Sequence, residues 1–227
     1  MDNVELRRAL RHSFLFEPAG DAELDDIVAK ATFRRYAAGE YIFWEGDRPD
    51  RFFLLTEGRV KVVKHGNAGR ETVVAFFQPG EVFGEVAVLE NKPYPASCVV
   101  VKDCTVMVLD RVEFQSFIKS HPALALALVG ILSARLREAQ SRLHDLAGER
   151  VDQRLARTLE RLTDKLGPEL PFTRQDLADM SGTTLETTVR FLSRLKEGGI
   201  ISSKRGQVTI EDLDRLRLLA EGPPGTG

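Results

Sequence analysis

The chain of 227 residues is poor in the residues that carry most enzyme and metal chemistry: it has two cysteines, one tryptophan and four histidines. Cys98 and Cys104 form neither a disulfide framework nor a Cys-x-x-Cys pair. His12, His65, His121 and His144 stand singly, none at i, i+4 from another and none in zinc-site spacing with a cysteine. No Gly-x-Ser-x-Gly, Walker loop or triad signature occurs, so no enzymatic reading has a motif behind it and no metal site is expected. The longest apolar run, "PALALALVGIL", falls well short of the roughly 20 residues that span a bilayer. The beginning of the chain lacks the apolar core of a secretory signal. A cytoplasmic protein without a membrane partner is expected. Charge is nearly balanced at −2, so the total selects neither for nor against nucleic acid.

What remains is a core-forming composition, 43% hydrophobic and 29% charged, with a clear change of texture along the chain. Residues 1–35 read as short helices; in "DAELDDIVAKA" Leu24, Ile27, Val28 and Ala31 share one face, with Asp21 as N-cap. From Tyr36 to Leu109, six short β-rich runs alternate with glycines: "EYIFWEG", "RFFLLTEG", "RVKVVKHG", "ETVVAFFQPG", "ASCVVV" and "CTVMVLD". Runs of this length predict an antiparallel sandwich or barrel. Next, Ala125, Val129, Leu132, Leu136, Ala139, Leu143 and Leu146 follow one another at alternating spacings of 4 and 3, a heptad seam that favours a two-stranded coiled coil over a long helix packed on its own sandwich. Gly148 reads as a hinge and "DQRLARTLERLTDKLG" as a further amphipathic helix.

The last segment reads helix, turn at Gly182, helix, then a hairpin around Lys204-Arg205-Gly206: a winged helix-turn-helix pattern. Thr173 with Asp176 and Thr183 with Glu186 fit capping boxes for its two helices. On a helical wheel Thr188, Phe191, Leu192 and Leu195 face inward, and Leu185, Glu186, Val189 and Arg190 face outward. Segment 184–206 holds five basic and two acidic residues, a local patch suited to phosphates. The final "EGPPGTG" reads as disordered.

These elements, in this order over residues 13–218, resemble the CRP/FNR family of bacterial transcription regulators. "AGEYIFWEGD", "FFLLTEGRVKVV" and "GRETVVAFFQPGEVFGE" are similar to the family's β-roll core. The resemblance implies an α+β chain: an N-terminal antiparallel, jelly-roll-like β-roll sensor (1–110), a coiled-coil dimerisation helix (111–147) and a winged helix-turn-helix (150–219). It also implies a homodimer on palindromic double-stranded DNA, working with RNA polymerase. The family's recognition motif, Glu-x-x-Ser-Arg or Glu-x-x-Gly-Arg, is here Glu186-Thr-Thr-Val189-Arg190, so Glu186 and Arg190 carry over as base readers. Thr184, Leu185, Val189, Ser193, Lys204 and Arg205 complete the expected DNA contacts. Leu185 stands where cyclic-AMP-dependent members carry a second arginine.

The same resemblance places an effector cradle at Phe83, Gly84, Glu85, Pro95, Ala96 and Ser97, with Ala139 and Gln140 on the long helix. Nucleotide-binding members hold the ribose with the glutamate and the cyclic phosphate with an arginine ten residues later; here that position is Pro95. Lys92 does not replace a forked donor. Cyclic AMP is therefore not the expected effector. The N-terminal cysteines of an iron–sulfur sensor are missing as well. The remaining branch resembles regulators of dissimilatory nitrate respiration and of hybrid-cluster-protein genes, which are associated with haem and nitric oxide. A haem, another small ligand and no ligand stay open, as does a cyclic-nucleotide signalling module whose C-terminal part binds protein.

Overall fold

The computed structural model describes residues 3–66, 71–148, 150–204 and 206–222, with the side chains of 3–5 and 146–148 excepted. Arg205 and the tail 223–227 lie outside the described residues, as does the side chain of Leu146. The chain forms two compact units, Met1–Arg137 and Glu138–Gly227.

In the first unit, α1 (Asn3–Arg11) and α2 (Asp21–Lys30) precede a six-stranded antiparallel sheet. Its strands are β1 (Thr32–Tyr36), β2 (Tyr41–Phe43), β3 (Arg51–His65), β4 (Glu71–Phe77), β5 (Val82–Phe83) and β6 (Ser97–Asp110). The order is β1-β6-β3-β4, with β2 also on β6 and β5 also on β3. A short α3 (Glu85–Glu90) lies between β5 and β6. Then come α4 (Arg111–Ser120) and the long α5 (Pro122–Gly148), which begins in the first unit and ends in the second.

The apolar run of β3 is buried on both faces, and the period-2 geometry of a strand explains how. Phe52 and Leu54 join a core with Leu15, Phe16, Leu24, Ile27, Met107, Phe114, Leu124 and Leu128. Phe53 and Leu55 point the other way, into a core with Phe43, Phe83, Tyr94, Cys98, Val106 and Val108.

Several sequence expectations need correction. "RFFLLTEG" and "RVKVVKHG" are one strand, as are "ASCVVV" and "CTVMVLD". Gly58 is a bulge and not a turn: its φ is +84°, the β3–β6 register shifts on both sides of it, and an added Cβ would fall 2.2 Å from Asp103 O. Strand structure begins at Thr32, inside the stretch read as helical, because β1 pairs with β6 along its whole length. The N-cap of α2 is Gly20, not Asp21: the Gly20 N–H donates to Glu23 Oε2 at 2.7 Å and Asp21 sits in the first turn.

The second unit holds α6 (Val151–Leu166), α7 (Arg174–Met180), α8 (Leu185–Glu197) and α9 (Leu213–Glu221). Its antiparallel sheet has the order β7-β9-β8, from β7 (Glu169–Leu170), β8 (Ile201–Lys204) and β9 (Gln207–Ile210). The hairpin at Gly206 is as read, while α9 and β7 had no reading from the sequence. The Thr173–Asp176 capping box is present, with the Asp176 N–H donating to Thr173 Oγ1 at 3.1 Å and the Thr173 N–H to Asp176 Oδ2 at 2.9 Å. At α8 the cap is Thr184, not Thr183: Thr184 Oγ1 accepts from the Thr187 N–H at 3.2 Å, and Glu186 takes no part. No single described helix is long and apolar enough to cross a membrane.

Candidate nucleic-acid interface and effector cradle

The amphipathic pattern of α8 sets its orientation. Thr188, Phe191, Leu192 and Leu195 are buried, and Thr188 Oγ1 donates back to Thr184 O at 3.1 Å. That leaves Thr184, Leu185, Glu186, Arg190 and Ser193 exposed and Val189 half-buried. Arg190 Nη1 and Glu186 Oε1 are 3.9 Å apart, a loose i, i+4 pair in solvent. Such a pair contributes little, about 0.3–0.5 kcal/mol, so both side chains are available to another partner. Lys204 is exposed at the end of β8. Arg194 is less free, with Nη2 on Asp152 Oδ2 at 2.7 Å and its guanidinium 5.7 Å from the Phe191 ring.

Sequence reasoning missed Arg154, which holds the turn before α8. Its Nε donates to Ser181 O at 3.1 Å and its Nη2 to Gly182 O at 3.2 Å. Gly182 has a φ of +59°, so the turn needs glycine and the arginine fixes its carbonyls. No local motif announces a contact between residues 28 positions apart.

The cradle residues fall on the β5–α3 junction and the start of β6. Gly84 is left-handed, φ +80°, and an added Cβ would press at 3.2 Å on both the Phe53 and Tyr94 rings. Phe83 lies within the aromatic core, 5.1 Å from Phe53 and 5.5 Å from Phe77 between centroids. Pro95 is exposed, and Ala96 and Ser97 are buried, with Ser97 Oγ accepting from the Glu45 N–H at 2.9 Å. Lys92 is exposed and pairs with Glu90 at 3.1 Å. Ala139 and Gln140 are exposed on α5 within the second unit. A cavity of about 370 Å³ between Arg35–Ala37, Glu57 and Asp103–Thr105 touches none of these residues.

Glu85 is only 3% exposed, and it has a partner the sequence reading did not assign. Arg135 of α5 reaches it, with Nη1 2.5 Å from Glu85 Oε1 and Nη2 2.6 Å from Val82 O. The guanidinium also lies 4.9 Å from the Phe77 ring centroid, in cation–π range. Burial raises the Glu85 carboxyl above its usual value, and the Arg135 charge opposes that rise. Glu85 Oε2 is buried without a hydrogen-bond partner. The signal was present in the sequence: Leu124, Leu128, Ile131 and Arg135 follow at spacings of 4, 3 and 4, so an arginine ends the inward stripe of α5.

None of the four histidines belongs to the buried core of the roll. His12 and His144 are exposed, and His65 lies against Trp44 at 5.9 Å. His121 has Nδ1 2.8 Å from Phe117 O and Nε2 3.3 Å from Glu23 Oε1. Inside the roll the sulfur donors are Cys98 and Cys104; burial pushes the first thiol well up and the second up to about 11, so both stay protonated. Among the described residues no group of three or more His, Cys, Asp or Glu could hold a metal ion.

Along α5 the apolar side chains divide between two faces. Leu124 and Leu128 are buried in the helical core of the first unit, and Leu132 and Ala125 are half-buried. Leu132 packs in part on that core. The outward stripe is Leu126, Val129, Leu136 and Leu143, with relative exposures of 73%, 59%, 59% and 66%. Ala139 is exposed on the same helix.

Comparison with known proteins matches residues 33–121 to the family described as Cyclic nucleotide-binding domain and residues 153–219 to the Crp-like helix-turn-helix domain. The chain is 32% identical over 214 residues to a protein of Thermus thermophilus named cyclic AMP receptor protein, covering 94% of this chain and 99% of that one. It is 32% identical over 171 residues to the nitrogen fixation regulation protein FixK of Rhizobium meliloti, covering 74% and 76%. The solved structure of FixK2 from Bradyrhizobium japonicum superposes with a TM-score of 0.71 at 26% identity, covering 82% of this chain and 96% of that one.

Proposed function

The chain belongs to the CRP/FNR family of transcription regulators, and from that premise we propose that it acts as a homodimer on palindromic promoter DNA, under the control of a small effector other than cyclic AMP. The observation that carries the DNA reading is the face of α8. Its apolar side is fully used by its own domain, and the side left to solvent carries a carboxylate and a guanidinium one turn apart. A carboxylate accepts from cytosine N4 and a guanidinium forks onto guanine O6 and N7, so Glu186 and Arg190 are the proposed base readers. Thr184, Leu185, Val189 and Ser193 flank them, and Lys204, with Arg205 of the wing, meets phosphates. RNA polymerase is the proposed second partner, in the cytoplasm where the promoter is.

The outward stripe of α5 supports the dimer. Large apolar side chains repeating at heptad positions 129, 136 and 143 call for a second helix. Of the two helices within residues 111–147, α5 carries the stripe and serves as the dimerisation helix, between a sensor at 1–110 and a DNA-binding part at 150–219. Glu85 with Arg135, on the β5–α3 junction and α5, supports an effector site that senses through the long helix.

Gel-shift titrations on matched and singly substituted palindromes at two salt concentrations test the DNA reading. Arg190→Ala should cost ~1–3 kcal/mol and relax discrimination at one guanine per half-site. Lys204→Ala should weaken all sequences alike and flatten the salt dependence. Equal losses on every sequence for Arg190→Ala would move that residue to the phosphate contacts.

A further inference from the structure

Between α1 and α2 the chain reads Ser13-Phe14-Leu15-Phe16. Ser13, Leu15 and Phe16 are buried, at 1%, 0% and 1% exposure, while Phe14 stands out at 59%. The connector is held in place: the Ser13 N–H donates to Leu10 O at 2.9 Å and the Phe16 N–H to Ser13 O at 3.0 Å. Leu15 and Phe16 anchor it in the helical core, Phe16 being 6.5 Å from both Phe52 and Phe117 between ring centroids. The outward direction of the Phe14 ring is thus set by its neighbours.

That ring lies against α5. A Cβ added at Gly130 would be 3.5 Å from Phe14 Cε1, an ordinary contact distance. Leu126 sits one helical turn before Gly130, and Val129 is next to it in the chain, so the ring adjoins the exposed apolar stripe. An exposed phenylalanine, held by a structured connector beside other exposed apolar side chains, has the features of an interface anchor.

We propose that Phe14 is part of the subunit interface: an aromatic anchor at the edge of the α5 stripe, covered by α5 of a second copy of this chain. The inference rests on the dimer reading above and extends the contact surface from one helix to the α1–α2 connector. The occupant is a second copy because the patch is continuous with the heptad positions that pair about a twofold axis. An aromatic ring there adds a large rigid apolar area at small entropic cost.

Sedimentation equilibrium of the full chain tests it, with circular dichroism as a check on folding. Phe14→Ser removes an exposed ring and leaves both cores untouched. It should raise the dimer dissociation constant at least about tenfold. Phe14→Leu should recover part of the loss. Leu218→Ser, which removes an exposed side chain from α9, should leave the constant unchanged. A Phe14→Ser protein that dimerises as tightly as the unmodified chain overturns this inference and leaves the dimer reading standing. So does an equal loss in Leu218→Ser. An unmodified chain that stays monomeric at micromolar concentration overturns the dimer reading and this inference with it.

Discussion

Arg135, on α5, supplies the guanidinium beside Glu85, and position 95 holds an exposed proline. The roll of this chain has an exposed proline where nucleotide-binding relatives of the family would place a guanidinium. The guanidinium beside Glu85 comes instead from α5, bound to one carboxylate oxygen and one backbone carbonyl. Glu85 is almost fully buried, so Arg135 is what keeps a charged carboxylate tolerable there. Arg135→Ala should cost about 3–5 kcal/mol near neutral pH, because it leaves that carboxylate unpaired. The sign of the pH dependence follows from burial, which raises the Glu85 pKa, and from losing the charge that opposes the rise. A carboxyl whose folded pKa is raised holds its proton more tightly folded than unfolded. Stability is then fully present below the unfolded value and falls as pH rises through the folded one. Urea denaturation of Arg135→Ala should therefore show recovery as pH is lowered from 7 towards 5. Adding Glu85→Gln should remove that pH dependence. A pH-independent loss in the single variant would mean that Arg135 stabilises through its contact with Phe77, not through Glu85.

At the scale of the element, α5 carries a buried and an exposed apolar face in one sequence, and the division between them was only partly legible. The heptad spacing puts Val129, Leu132, Leu136 and Leu143 in one seam; the first, third and fourth are exposed, and Leu132 packs in part on the helical core. A period-3.5 pattern cannot by itself distinguish a partner helix from the chain's own core when both lie against the same helix. Leu136→Glu tests the outward assignment, since Leu136 touches solvent in the single chain and would be buried only by a partner. Sedimentation should show monomer and palindrome binding should be lost, because an unpaired charge at a buried interface is strongly unfavourable. A dimeric Leu136→Glu would place the interface elsewhere. The strands show a second limit. Gly58 ends one of the six short runs although β3 continues through it, because glycine serves hairpins and bulges alike and only the cross-strand register distinguishes them. The buried face of α8 was legible because its apolar residues repeat at helical spacing with nothing competing for them. Arg154 and Arg135 were not assigned, since each acts on a segment remote in sequence.

At the scale of the whole molecule, the proposed sensing and DNA-reading parts fall largely in two compact units, so the proposed regulation requires a coupling free energy between them. Charge decides which ligands could enter the cradle. Glu85 and Arg135 sum to zero, and a cyclic phosphate would add one uncompensated negative charge. Arg135 already directs donors at Glu85 Oε1 and Val82 O, and its single positive charge is balanced by that carboxylate before any phosphate arrives. Lys92 is a solvated point charge already beside Glu90, and Pro95 offers neither charge nor N–H. Cyclic AMP and cyclic GMP should therefore give no calorimetric heat and no thermal stabilisation up to about 1 mM, the concentration at which even a matching dissociation constant would represent only ~4 kcal/mol. Pro95→Arg supplies the one charge the count lacks and should create or tighten binding. The titration is most informative with and without operator DNA. A ligand that changes DNA affinity by some factor must itself bind more or less tightly by that same factor when DNA is present. Cyclic AMP that binds the unmodified chain at micromolar concentration, with an affinity that shifts when operator is added, would make it the effector and overturn the argument from charge. Heat that is indifferent to DNA would show a site without coupling, and the effector would still have to be a ligand whose groups suit a neutral ion pair with one carboxylate oxygen left to accept.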